Sequence, residues 1–168
     1  MVLVGVAAAL TLQTTLSGML IGRTLPVNLV VVAVVFAGLA FGAMTGTIAG
    51  AAGGLAQDAL AGGIVGIGGL SKTLIGFLVG LLGAQFIVSQ TLPRIVMFVA
   101  ATFVHEIVFE ALHAVVDGRA FSLRWSATLL QALLNALVGM AAFWVMEEGP
   151  KVLQRRSTRG ASFSKRRF

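Results

Sequence analysis

Between Arg23 and Asp58 the chain runs for 34 residues without a charge, and the later part of that run carries a glycine at every fourth position: Gly38, Gly42, Gly46, Gly50 and Gly54. The stretch is too apolar for a soluble domain, and a single bilayer crossing needs only about 20 residues. Two helices in hydrocarbon satisfy it, with the glycines on faces where backbones approach closely. The valine-rich run after Pro26 would suit a strand in water. In lipid an open strand leaves its amides unpaired, so helix is the expectation there too. Gly-xxx-Gly spacing is equally compatible with packing inside one chain and with a dimer or partner interface.

Charge placement extends the reading to the whole chain. Only 11% of the 168 residues are charged and 58% are hydrophobic, which leaves one membrane bundle and no soluble module. The run before Arg23 predicts a first helix over 2–21, of a length that suits a span better than a signal-peptide core. A second is expected over 27–41 and a third, rich in Gly and Ala, over 44–60, ending at Gly62 and Gly63. Helix four covers 64–90 and contains Lys72, after which 21 residues carry no charge. Pro93 and Arg94 open helix five, which reaches 116 before an Asp117–Gly118 turn. Helix six starts near Ser122, holds 22 uncharged residues after Arg124, and stops at Glu147, Glu148, Gly149 and Pro150. The expected fold is an all-α membrane protein with six transmembrane helices over residues 1–150, followed by a basic, disordered tail over 151–168.

That tail holds seven Lys or Arg residues and no acid. By the positive-inside rule it belongs in the cytoplasm, and six crossings return the N-terminus to the same side. Arg119 and Arg124 then fall in an outer loop. The tail suits anionic lipid, at about 1 kcal/mol for each Lys or Arg near the surface. Nucleic acid is not an expected partner for a tail tethered to a membrane bundle.

Ionisable residues within spans are functional candidates by default. Lys72 lies eight residues into helix four and Glu106 ten residues back from 116, about 12 and 15 Å deep at the rise of a helix. Matching depths predict a Lys72–Glu106 ion pair between helices four and five. Glu106, Glu110 and His113 share one face of helix five within about 60°. That face invites a metal reading, yet the order is not H-E-x-x-H and no cysteine completes a shell. Glu110 and His113 approach the outer interface, where Arg119 or Arg124 can meet them. Asp58 reads either as an interfacial carboxylate bonded to loop amides near Gly62 and Gly63, or as an anchor for the turn into helix four or for a partner. Further small pairs, Gly5 with Ala9 and Gly76 with Gly80, extend the close packing. No Ser–His–Asp arrangement, phosphate loop or tyrosine is present, so no enzyme and no cofactor are expected.

The succession Leu12-Gln13-Thr14-Thr15-Leu16, Pro26, Gly46-Thr47-Ile48-Ala49-Gly50, Gly53-Gly54-Leu55-Ala56-Gln57-Asp58, Gly66-Ile67-Gly68 and Leu70-Ser71-Lys72-Thr73-Leu74-Ile75-Gly76-Phe77-Leu78 resembles the bacterial rod shape-determining membrane protein MreD family. The likeness is sharpest over residues 12–80. Helices five and six match in hydropathy only, and the family's frequent Pro-Asp is Pro26-Val27 here. The resemblance implies a non-enzymatic scaffold of the cell-wall elongation complex in the cytoplasmic (inner) membrane. Its implied partners are MreC, through it the MreB filament, and RodA with its penicillin-binding transpeptidase. Gln13, Asp58 and the matching glycines are the positions that carry over. A six-helix bundle of this kind also resembles the substrate-binding subunits of energy-coupling-factor vitamin transporters, whose small-residue contact Gly5 and Ala9 mimic. On that alternative Lys72, Glu106 and His113 would line a vitamin site.

Overall fold

Six helices follow one another in the computed structural model: α1 (Val2–Met19), α2 (Leu29–Phe41), α3 (Ala43–Ala61), α4 (Ile67–Gln85), α5 (Thr91–Asp117) and α6 (Trp125–Ser164). The structure describes residues 2–19, 26–85 and 90–164, with side-chain surroundings for 2–16, 26–85 and 90–147. No strand occurs among the described residues. The helix order matches the charge-gap reading, with ends moved by a few residues. Helix four stops at Gln85, and residues 86–89 lie outside the described residues.

Three helices are long and apolar enough to cross a membrane: α4, α5 and the Trp125–Glu147 portion of α6. This is a membrane protein by those three helices. The apolar stretches of α1 (Val2–Leu16) and α2 are shorter. At 13 residues, α2 is about 20 Å long, less than the hydrocarbon core. It occupies the middle of the bundle, with Val30, Val31, Val32, Val34, Val35 and Ala37 all buried. Glycine and alanine leave α3 long enough at 19 residues but less apolar than the other three. The helical course of α6 continues through Ser164, across most of the segment expected as a disordered tail. Pro150 lies within it, removing one backbone bond without ending the helix there. Glu148, the basic side chains of the tail and residues 165–168 lie outside the described surroundings.

Consecutive helices run back and forth. Gly42 alone joins α2 to α3; its φ of +87° is a conformation that side-chain-bearing residues avoid, and it lets α3 fold straight back along α2. The α3–α4 turn and the α5–α6 loop (118–124) lie at one end of the bundle, here the loop end. The Gly42 break and the Arg94–Glu147 pair mark the opposite, tail end. Large apolar side chains such as Met44, Ile48, Leu70, Phe77, Leu137 and Trp144 point outward around the bundle, a surface suited to lipid rather than water.

Two clusters make the core. One gathers Val31, Val35, Ile75, Val79, Phe98 and Phe143 from α2, α4, α5 and α6. The other, Val6, Val30, Val34, Ala37 and Ala49, joins α1 to the α2–α3 pair. The Phe98 ring lies against Gly139, where a methyl group would collide with it.

Candidate functional site

The ladder faces inward. Gly46 meets the backbone of Gly76, Gly50 meets the Lys72 carbonyl, and Gly54 meets Gly68 and Gly69, so α3 and α4 touch main chain to main chain. Gly38 reaches the same α4 surface from α2, where an added methyl would stand 3.0 Å from the Gly76 carbonyl oxygen. Of the two interfaces left open by sequence, the contact is the internal one. Gly42 is the exception in the series, serving as the break between α2 and α3 rather than as a packing surface.

Asp58 closes this seam at the loop end. It is buried, and Oδ2 accepts hydrogen bonds from the amides of Gly66 (2.9 Å) and Gly69 (3.1 Å). The other carboxylate oxygen rests on Gly68, at a place no side chain could share. The amides are those that open α4, not those near Gly62 and Gly63. The carboxylate therefore caps the N-terminal end of α4, where unpaired N–H groups and the helix dipole favour negative charge.

Behind this cap lies a buried polar layer. Lys72 is 2% exposed, and its ammonium stands 5.8 Å from the centre of the Phe109 ring. Asp58 and Glu106 are the two carboxylates whose fields reach it. The expected Lys72–Glu106 contact pair does not form. Instead Glu106 Oε1 accepts a 2.7 Å hydrogen bond from Gln131 Nε2 on α6. Depth along a helix sets the level of the two residues but not their rotation: Glu106 turns toward α6 while the Lys72 ammonium lies beside Phe109. His105, 1% exposed, places Nε2 3.8 Å from Glu106 Oε1, while its Nδ1 is buried without a partner.

Glu110 and His113 part company. Glu110 takes Arg119 in a two-pronged pair, at 2.6 and 3.1 Å, and Asp117 adds a weaker contact to the same guanidinium. The bond to Glu110 pushes Arg119 above its already high range, so this loop clasp stays charged. His113 Nδ1 donates to the Phe109 carbonyl at 3.1 Å. The three residues that share a face of helix five thus each engage a different group, and no cluster with metal-binding spacing occurs among the described residues.

Several polar residues tie the helices together, and of these sequence reasoning singled out Gln13 and passed over the rest. Asn135 Oδ1 accepts from the Asn28 amide at 3.0 Å, and its Nδ2 donates to Thr102 Oγ1 at 3.2 Å, linking α6 to α2 and α5. Gln13 Oε1 accepts from the Val30 amide, and Asn28 Oδ1 from the Val31 amide, so two unpaired donors at the start of α2 are satisfied by side chains. Pro26 stands exposed just before them. A signal for the missed pair existed: Gln131 and Asn135, one turn apart, are the only amides in the uncharged run of helix six.

The second candidate surface is apolar. α1 and α6 both pack on α2 but do not meet each other among the described residues. They leave a groove of about 850 Å³, floored by Ala33 and Phe36 and walled by Gly5, Ala9 and Leu12 on one side and Val138 and Ala142 on the other. Gly5 has open space where a side chain would be. No protein-family model, no curated protein and no solved structure matches this chain.

Proposed function

We propose that the chain is a non-enzymatic scaffold subunit of the MreD kind, seated in the bacterial cytoplasmic membrane with its loop end outside and both termini in the cytoplasm. The groove between α1 and α6 is the observation that carries this reading. The glycine ladder is consumed within the molecule, so α2, α3 and α4 form a stiff frame rather than a contact for others. What the frame presents laterally is an apolar trough edged by small residues, suited to an apolar transmembrane helix lying alongside. On this reading that helix belongs to MreC, which links the bundle to MreB and to RodA with its transpeptidase. The basic tail at 151–167 supports a cytoplasmic C-terminus and contact with anionic lipid.

The vitamin-transporter alternative uses the same Gly5, exposed, and Ala9, half-buried, but needs a ligand site near Lys72, Glu106 and His113. Two of the three are occupied by neighbours from within the chain: Glu106 by Gln131 and His113 by Phe109. The groove is the better-supported functional surface.

Affinity purification of the tagged full-length chain from gently solubilised native membranes, with companions identified by mass spectrometry, tests the proposal. Recovery of MreC or the RodA–transpeptidase pair is expected, and Ala9→Trp should abolish it without lowering the amount of protein in the membrane. Recovery of an ATPase with a transmembrane coupling subunit would overturn the scaffold reading.

A further inference from the structure

One residue interrupts the stripe of α4 that faces α3. Gly68, Gly76 and Gly80 lie so close to α3 that none could carry a methyl group, and Lys72 occupies the matching position between the first two. Close packing alone would place a small residue there. The lysine side chain instead runs into the seam between α4 and α5, beside Phe109. Burying an ammonium in a membrane helix without a contact partner is costly, and Lys72 forms no hydrogen bond or ion pair among the described residues.

Its acidic neighbours bond elsewhere. Asp58 on α3 is held by the amides of Gly66 and Gly69, and Glu106 on α5 by Gln131. His105, on the same helix, leaves Nδ1 without a partner although the ring is buried. Lys72 therefore sits between two carboxylates, Asp58 from α3 and Glu106 from α5, without direct contact with either, and the His105 imidazole lies beside Glu106. Toward the tail end the same seam is filled by Ile75, Val79 and Phe98. There Arg94 also pairs with Glu147 at 2.6 Å and lies over the Phe143 ring at 4.4 Å.

We infer that the α5–α6 hairpin pivots on its tail-end aromatic cluster and opens the loop-end half of the α4–α5 seam to water, with the unpaired Lys72 favouring the open form. Opening hydrates Lys72 and His105 Nδ1, which recovers part of the cost of separating the helices. The α3–α4 seam cannot follow, because its contacts are backbone on backbone. The motion is independent of which partner the lateral groove takes.

The chain has no cysteine, so one introduced thiol reports on one place. Ser71→Cys puts a near-isosteric thiol at a fully buried site of α4 next to Lys72 and one turn from Ile75; Val34→Cys puts one at an equally buried site in the α1–α2–α3 cluster. The measurement is the rate of modification by a small, membrane-impermeant thiol reagent, on the full chain in lipid nanodiscs. Local opening predicts that Ser71→Cys reacts about tenfold faster than Val34→Cys. Adding Lys72→Met removes the buried ammonium and should lower the Ser71→Cys rate while leaving Val34→Cys unchanged. Equal protection of the two thiols overturns the inference, as does a Ser71→Cys rate that Lys72→Met leaves unchanged or raises. If the Lys72→Met protein does not fold, the comparison in the lysine-bearing chain decides by itself.

Discussion

Along the α3–α4 seam two helices meet backbone to backbone, whereas α5 and α6 meet through side chains: Glu106 with Gln131, Thr102 with Asn135, Arg94 with Glu147. The first seam depends on the absence of side chains and tolerates nothing added. The second depends on particular polar partners, which hold α5 and α6 together as a hairpin. A rigid frame and a more adaptable hairpin in one small bundle suit a scaffold that must keep its shape while accommodating a neighbour.

The comparison breaks most sharply at the ladder. Gly46→Leu drives a side chain into the Gly76 backbone and should cost at least the upper end of the roughly 1–3 kcal/mol typical of overpacking. Gly5→Leu, with open space around it, should stay within about 0.5 kcal/mol of the parent. Thermal denaturation in detergent distinguishes them, and equal losses would mean that the ladder is not a packing seam.

Next in size is the cap. Asp58→Ala leaves the Gly66 and Gly69 amides without their acceptor, a loss of about 2–3 kcal/mol, while Asp58→Asn keeps one oxygen and should recover part of it. The same denaturation assay checks both, and identical behaviour of the two variants would show that the Gly66 and Gly69 amides do not depend on an acceptor oxygen at this position.

The smallest effect sharpens the contrast within the polar layer. A double-mutant cycle on Glu106 and Gln131 should give a coupling of about 1 kcal/mol. The corresponding cycle on Lys72 and Glu106 should give clearly less, since they make no contact. A larger coupling for the lysine pair would restore the ion pair that depth alone suggested.

These contrasts track what could be read from the chain. The helices were legible because charge gaps in a membrane protein are physical boundaries, and the ladder was legible because four-residue glycine spacing has one geometric meaning. Its orientation was not, since close approach looks alike whether the second helix is in the same chain. The polar partners were least legible. Depth along a helix placed Lys72 and Glu106 at one level but carried no information about rotation, which directs Glu106 toward Gln131. Asn28, Thr102 and Asn135 are uncharged and raised no alarm, yet they join three helices. The apolar groove has no local signature at all. It arises because α1 and α6 lean on the same short α2 without reaching each other.

The central claim is that this groove receives a partner's transmembrane helix. A photo-crosslinking residue at Ala9, in the otherwise native full-length chain and in its own membrane, tests that claim most directly. A crosslink from Ala9 to the membrane segment of MreC, absent when the same probe replaces the outward-facing Ile48 on α3, is the predicted result. Crosslinks to MreC from Ile48 but not from Ala9, or from Ala9 to a transporter coupling subunit, would contradict it.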